Sequence, residues 1–557
     1  MRWIAALAVG CSGGDDGTGD PTGDPTDTDT DTDTDTDADA DADTDADADT
    51  GIPTTTACPD STGGPQLETS TGCVRGSIAP SGREQFLGIP YAEAPVGPLR
   101  FAATVPKAPW STPLDAVDPG PICVQFGAST FAPEYGIGDG DEDCLRLNVY
   151  RPVGAHDLPV MVFVHGGGHL NGSGYERYYV DPQLAEDAVV VTLNYRLGPL
   201  GYLAHPSLSA ADPDGVSGNM GFQDVSTALA WVDANVAALG GDPTRRIVFG
   251  ESAGGLETCA VLASPRTAGR FDAAIIESGP CGSLAVPLRD PPLFVVSGEE
   301  QGEDFAAQLG CPADALDCLR AAPIEDLVAL GQSEVGPGAG AWNWQPWIDG
   351  VWLPVPVADA FLTGAFAQVP VLATVNRDEG TLFTIGIAPD EAALAAWIDT
   401  FALLVGVDRD TLAAQYDPAL FGGSTDAAAA ALYGDAIFLC PTVWQQEVLG
   451  SRVDARGAYW VEVGRDLLGL GAFHASEVPY VFGTLDLPDP EDDALSARMQ
   501  AAWRTMADPT PTLSDLGPWP TVDAGWVELD VDPSRVIPPP GAAQCALFED
   551  SRANPYR

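Results

Sequence analysis

At 557 residues, with 45% hydrophobic and 8% aromatic side chains, the chain has the composition of a large folded protein rather than a disordered one. Its formal net charge of −56 repels phosphate backbones and excludes nucleic acid as a partner. The charge is uneven: residues 13–50 hold 16 aspartates and no lysine or arginine, while the rest, Arg2 aside, carries 65 acids against 24 bases.

The amino terminus reads as an export signal. Arg2 precedes an apolar run from Trp3 to Val9, then Gly10-Cys11-Ser12. This resembles a bacterial lipoprotein signal, which implies a lipidated Cys11 as first mature residue and an anchor at the cell envelope. Membrane contact is expected through that anchor alone, because no run of about 20 apolar residues occurs and no spanning helix is expected. Without lipidation, the expectation is plain secretion. Eleven cysteines, many far apart, point to disulfides and an oxidising compartment, and the odd count leaves one cysteine over. Residues 12–55, with Thr-Asp and Ala-Asp alternating from Thr26 to Thr50, can form no core and self-repel, so they are expected to be a disordered, extended tether. A calcium loop of the EF-hand kind needs a central glycine and closing glutamate that the repeat lacks.

From residue 56 to 557 the pattern is that of one large domain with insertions. Residues 159–164 and 188–193 are short β-branched runs expected of strands buried on both faces. From Met220 to Leu239, Val225, Leu229, Val232, Val236 and Leu239 mark one face of a helix that Gly240-Gly241 ends. A strand at 246–249, a turn at Ser252, a second helix and a strand at 273–276 follow; residues 369–376 read as a further strand. Strand, helix, strand in this order predicts an α/β fold with a mostly parallel sheet flanked by helices.

Two stretches fit Gly-x-Ser-x-Gly: residues 10–14 and 250–254. Only Ser252 has a strand behind it and a helix ahead, the context of a nucleophile elbow. The new helix aims its first amides, beginning with Ala253, at developing negative charge. Further oxyanion donors are expected on the glycine loop after the 159–164 strand, His165-Gly166-Gly167-Gly168-His169. The two histidines have no Cys, Asp or Glu at ligand spacing, so no metal site is expected. Of five histidines only His474 follows Ser252, which makes it the general base in the chain order serine, acid, histidine. For the acid, Asp378 and Glu379 both close the 369–376 strand; the pattern does not choose, though Gly380 slightly favours Glu379.

These motifs, with Phe86–Ala92, Glu142–Val149, Asn194–Gly198, Gly218–Gly221 and Gly240–Pro243, resemble the type-B carboxylesterases, the family that includes the cholinesterases. The resemblance runs from about residue 85 to the carboxyl terminus. It implies an α/β-hydrolase fold, Glu379 as the acid, and Gly167 and Gly168 as oxyanion donors. It also implies disulfides Cys123–Cys144, Cys311–Cys318 and Cys440–Cys545. Cys58 with Cys73 and Cys259 with Cys281 remain as two further pairs, and Cys11 is the odd one. The Cys123–Cys144 loop lacks the tryptophan that cholinesterases use against choline, so a cholinesterase is not expected. The expected activity is hydrolysis of a small-molecule carboxylic ester through an acyl-serine, with no cofactor. The alternatives are a non-catalytic surface adhesion module of the same fold, which the intact triad argues against, and amide or lactone cleavage by the same groups. Trp342, Trp344, Trp347 and Trp352 are expected to serve packing rather than a substrate pocket.

Overall fold

The computed structural model describes Cys58 and residues 63–128, 133–292, 295–332, 342–461, 469–486, 489–551 and 554–556. The expected signal, Cys11 and the acidic tether lie outside these residues. Among the described residues the centre is an eleven-stranded mixed sheet. Its strands are, in chain order, β1 (Ser77–Ile78), β2 (Glu84–Pro90), β3 (Arg146–Arg151), β4 (Leu158–Val164), β5 (Val189–Leu193) and β6 (Gly241–Glu251). They continue with β7 (Ala273–Glu277), β8 (Val371–Asn376), β9 (Ala455–Trp460), β10 (Trp526–Leu529) and β11 (Arg535–Ile537). In space they run β1-β2-β3-β5-β4-β6-β7-β8-β9-β10-β11. β5 through β10 are parallel, and the flanks at both ends pair antiparallel.

Alternate residues of each parallel strand feed two separate cores. Val160, Val162 and Val164 join Val248, Ile276 and Val375 on one face. Met161 and Phe163 join Ile247, Phe249, Ile275 and Leu372 on the other. A period of two with both faces covered produces the unbroken apolar runs seen in the sequence. Helix α1 (Met220–Leu239) buries the predicted face of Val225, Leu229, Val232, Val236 and Leu239 on the first core, and Gly240 ends it at φ 83°. β6 begins at Gly241, five residues before the predicted strand. The extra length is irregular: Leu158 pairs with Gly241 but Val160 with Arg246. In between, Asp242 Oδ1 accepts from the Thr244 amide at 2.8 Å and folds a local turn that the pattern of side chains did not signal.

The family motifs far from Ser252 hold the frame. Arg196 makes a buried fork to Asp224, with both bonds at 2.8 Å. Asn219 donates to the carbonyl of Trp347 at 2.9 Å and accepts its amide at 2.7 Å. Trp342, Trp344 and Trp347 are buried, and their indole N–H groups donate to the carbonyls of Leu330, Gly331 and Tyr202. Five disulfides join Cys58 to Cys73, Cys123 to Cys144, Cys259 to Cys281, Cys311 to Cys318 and Cys440 to Cys545. Such a set belongs to a protein outside the reducing cytosol.

Among the described residues one helical run, Thr425–Gly450, has the length and hydropathy of a membrane span. It packs as a core helix: 78% of its most apolar window is buried inside the fold.

Candidate active site

The turn at Ser252 is set by sterics. β6 ends at Glu251, and Ser252 takes φ 56°, ψ −118° before helix α2 (Ala253–Ala263) begins. Such a backbone costs about 1–3 kcal/mol in a non-glycine residue and persists only where its surroundings impose it. Here the Ser252 amide donates to the Glu277 carbonyl of β7 at 2.9 Å. A Cβ on Gly254 would lie 1.9 Å from the Val164 carbonyl oxygen, so the helix can pack on β4 only with glycine there. Ser252 itself remains partly exposed at the top of the sheet.

His474 sits on the loop after β9. Its Nδ1 lies 2.6 Å from Glu379 Oε2. The other carboxylate oxygen, Oε1, accepts from Ser278 Oγ at 2.6 Å and from the Asn376 amide at 2.8 Å. Of the two acids left open by the sequence pattern, Glu379 therefore faces the histidine. Asp378 turns the other way and accepts the Ala472 amide at 2.8 Å, while its own amide donates to the Ala472 carbonyl at 3.0 Å. This pins the His474 loop to the end of β8. Phe383 and Phe438 flank the imidazole, with ring centroids at 4.9 and 4.8 Å.

The floor of the site is strongly acidic. Glu251 Oε1 approaches His474 Nε2 to 3.2 Å, and Glu477 accepts from Asn376 Nδ2 at 2.5 Å. Glu277 accepts from Trp503 Nε1 at 2.7 Å. Burial disfavours the charge on His474, but Glu251, Glu379 and Glu477 outweigh it and raise its pKa to about 9. Burial raises Glu277 to about 8 and Glu477 to about 7, and pushes Glu251 well above the ordinary carboxylate range. Sequence reading missed Ser278, Asn376, Glu251, Glu277 and Glu477. A usable signal was present, since each lies at or just past the carboxyl end of β6, β7 or β8, or within three residues of His474.

The glycine loop follows β4. Gly167, Gly168 and His169 all have positive φ, at 101°, 63° and 58°. The loop lies against the serine turn: a Cβ on Gly166 would come within 3.1 Å of Ser252 Cβ. His165 is buried, stacks on Tyr195 with centroids 4.5 Å apart, and donates from Nδ1 to the Gly166 carbonyl at 2.9 Å. Burial lowers its pKa to about 4, so it stays neutral. The structure thus brings Ser252, Ala253, Gly167, Gly168, Glu379 and His474 to one end of the parallel strands, with Cys259–Cys281 tying α2 to the segment after β7.

A sequence profile of the carboxylesterase family matches residues 63–546. The chain is similar to a fumonisin B1 esterase of Sphingopyxis macrogoltabida, 35% identical over 76% of this chain and 78% of that one. It is also similar to the para-nitrobenzyl esterase of Bacillus subtilis, 33% identical over 82% and 92%. An acetylcholinesterase of Bungarus fasciatus is 31% identical over 88% and 87%. With an α/β-hydrolase sheet, an elbow serine and this coverage, the chain belongs to the carboxylesterase family and is a carboxylic-ester hydrolase.

Proposed function

We propose that this hydrolase works through Ser252, His474 and Glu379 on small-molecule esters. The observation that carries the reading is the Glu379–His474 contact at 2.6 Å, made past the ends of β8 and β9 at the same end of the parallel sheet as the serine turn. His474 takes the Ser252 proton as the hydroxyl attacks the ester carbonyl. Glu379 fixes the tautomer and stabilises the imidazolium that forms. The amides of Gly167, Gly168 and Ala253 receive the oxyanion, each such donor contributing roughly 10²–10³ in rate. The protonated His474 then gives its proton to the leaving alcohol. Water, deprotonated by the same imidazole, releases the acid from the acyl-serine. Every proton in this cycle has a protein partner, so the chemistry asks for no cofactor. The reading is tested by Ser252→Ala, which is expected to abolish hydrolysis of short p-nitrophenyl esters; hydrolysis that survives in the folded variant sinks it.

For the amino terminus we propose export with lipidation of Cys11 and an acidic tether over residues 12–55, supported by the signal-like sequence and by five disulfides in the domain. Metabolic labelling with an alkynyl fatty acid is expected to mark the parent and not Cys11→Ala; equal labelling contradicts the assignment.

A further inference from the structure

The oxyanion donors named above come from two separate pieces of chain, the glycine loop after β4 and the first turn of α2. A hole of this kind works only if its amides stand at a fixed spacing, because the oxyanion is small and hydrogen bonds weaken steeply with geometry. The loop is a poor ruler by itself: three successive residues, Gly167, Gly168 and His169, hold positive φ, and the last has a side chain.

His169 is where the loop is gripped. It is fully buried, and its Nε2 lies 3.1 Å from Oε1 of Glu257, also fully buried. Tyr202 donates its hydroxyl to the same Oε1 at 2.8 Å and sets its ring edge-on to His169, with centroids 4.9 Å apart. The His169 carbonyl accepts the Gly198 amide at 2.7 Å. Glu257 stands on α2 one turn beyond Ala253, so the helix transmits its position directly to the third donor. The helix is itself held by Cys259–Cys281 and by the close approach of Gly254 to Val164.

From this arrangement we infer that Glu257 and His169 are positioning residues, a buried strut that spans the two halves of the oxyanion hole and sets the distance between its donors. The inference rests on the assignment of Gly167, Gly168 and Ala253 as those donors. Stability is a weak reason for the pair, since apolar residues of equal volume commonly hold a core as well as a buried carboxylate and its partner. What apolar packing does not supply is a close polar contact between the two segments, backed by the hydrogen bond that Glu257 accepts from Tyr202. The pair also escaped sequence reading, because Glu257 is 88 residues from His169 and meets it only when α2 folds back on β4.

Three variants test this: Glu257→Leu, His169→Phe and Glu257→Gln, assayed on p-nitrophenyl acetate and titrated with an alkyl trifluoromethyl ketone, whose serine adduct places an oxyanion in the hole. Glu257→Leu and His169→Phe are expected to lower kcat about 10–100-fold, with KM within about threefold. Affinity for the ketone should fall by the same factor. Glu257→Gln keeps an acceptor for Tyr202 and the length of the side chain, and is expected to recover most of kcat. A folded Glu257→Leu or His169→Phe with kcat within about twofold of the parent overturns the proposal, as does a loss of activity carried by KM alone. If Glu257→Leu does not fold, His169→Phe and Glu257→Gln decide by the same criteria. Ser252→Ala separates the two levels: if it still hydrolyses ester, the oxyanion assignment itself fails. If it is inactive while the strut variants keep full kcat, only the strut fails.

Discussion

Glu251 Oε1 lies 3.2 Å from His474 Nε2, so the residue immediately before Ser252 brings a carboxyl group to the ring nitrogen opposite the one held by Glu379. With Glu251, Glu379 and Glu477 around it, the imidazolium is stabilised and its pKa stands at about 9 despite burial. A base works only after losing that proton, so kcat/KM should rise with pH on a limb above the ordinary histidine range near 6.5. Glu251→Gln removes a carboxyl whose ionised form stabilises the imidazolium. The limb is expected to move to lower pH by about one unit. A pH profile of kcat/KM checks this, and an unmoved limb contradicts the role given to Glu251.

Glu277 bears on stability. Its folded pKa, about 8 through burial and the nearby Glu477, exceeds its unfolded value near 4.5. A group raised in this way contributes fully below the unfolded value, and the contribution is lost as pH rises through about 8. Glutamine keeps an acceptor for Trp503 Nε1 and carries no charge to bury. Glu277→Gln is therefore expected to raise Tm by a few degrees at pH 9 and by much less at pH 5. Equal shifts at both values would show that the effect is not ionisation.

Part of this candidate site was legible in the sequence alone. Ser252 and His474 stood out through strand-turn-helix context and chain order, which depend only on local pattern and topology. Glu379 was not separable from Asp378 by pattern, because the choice rests on which way each side chain turns after β8: Ser278 and the Asn376 amide hold one inward, and Ala472 holds the other away. The carboxylate floor was invisible for the same reason, since Glu251, Glu277 and Glu477 converge from three segments. In the fold, α1 matched its predicted span, while β6 begins five residues before its predicted start, because the turn held by Asp242 left no mark in the side-chain pattern.

The disulfides should differ in weight. Cys440–Cys545 closes 105 residues and Cys311–Cys318 closes 7. Loop entropy alone gives about 4.8 against about 2.4 kcal/mol of stabilisation. Paired alanine substitutions followed by thermal denaturation should show the larger drop for Cys440 and Cys545. A larger drop for the short loop would contradict that ranking.

Glu379→Gln keeps the shape of the acid and removes the charge that balances the imidazolium. Its kcat is expected to fall about 10³–10⁴-fold with the fold intact, in line with neutral replacements of the acid in other triads. A fall of less than about tenfold would contradict the role given to Glu379.

The most direct test of the central claim is to label the folded protein with a fluorophosphonate and map the adduct by peptide mass spectrometry, in the parent and in Ser252→Ala. A single stoichiometric adduct on Ser252, with labelling and ester hydrolysis both lost in the variant, is the predicted result. An adduct on another residue, or hydrolysis undiminished in Ser252→Ala, would contradict it.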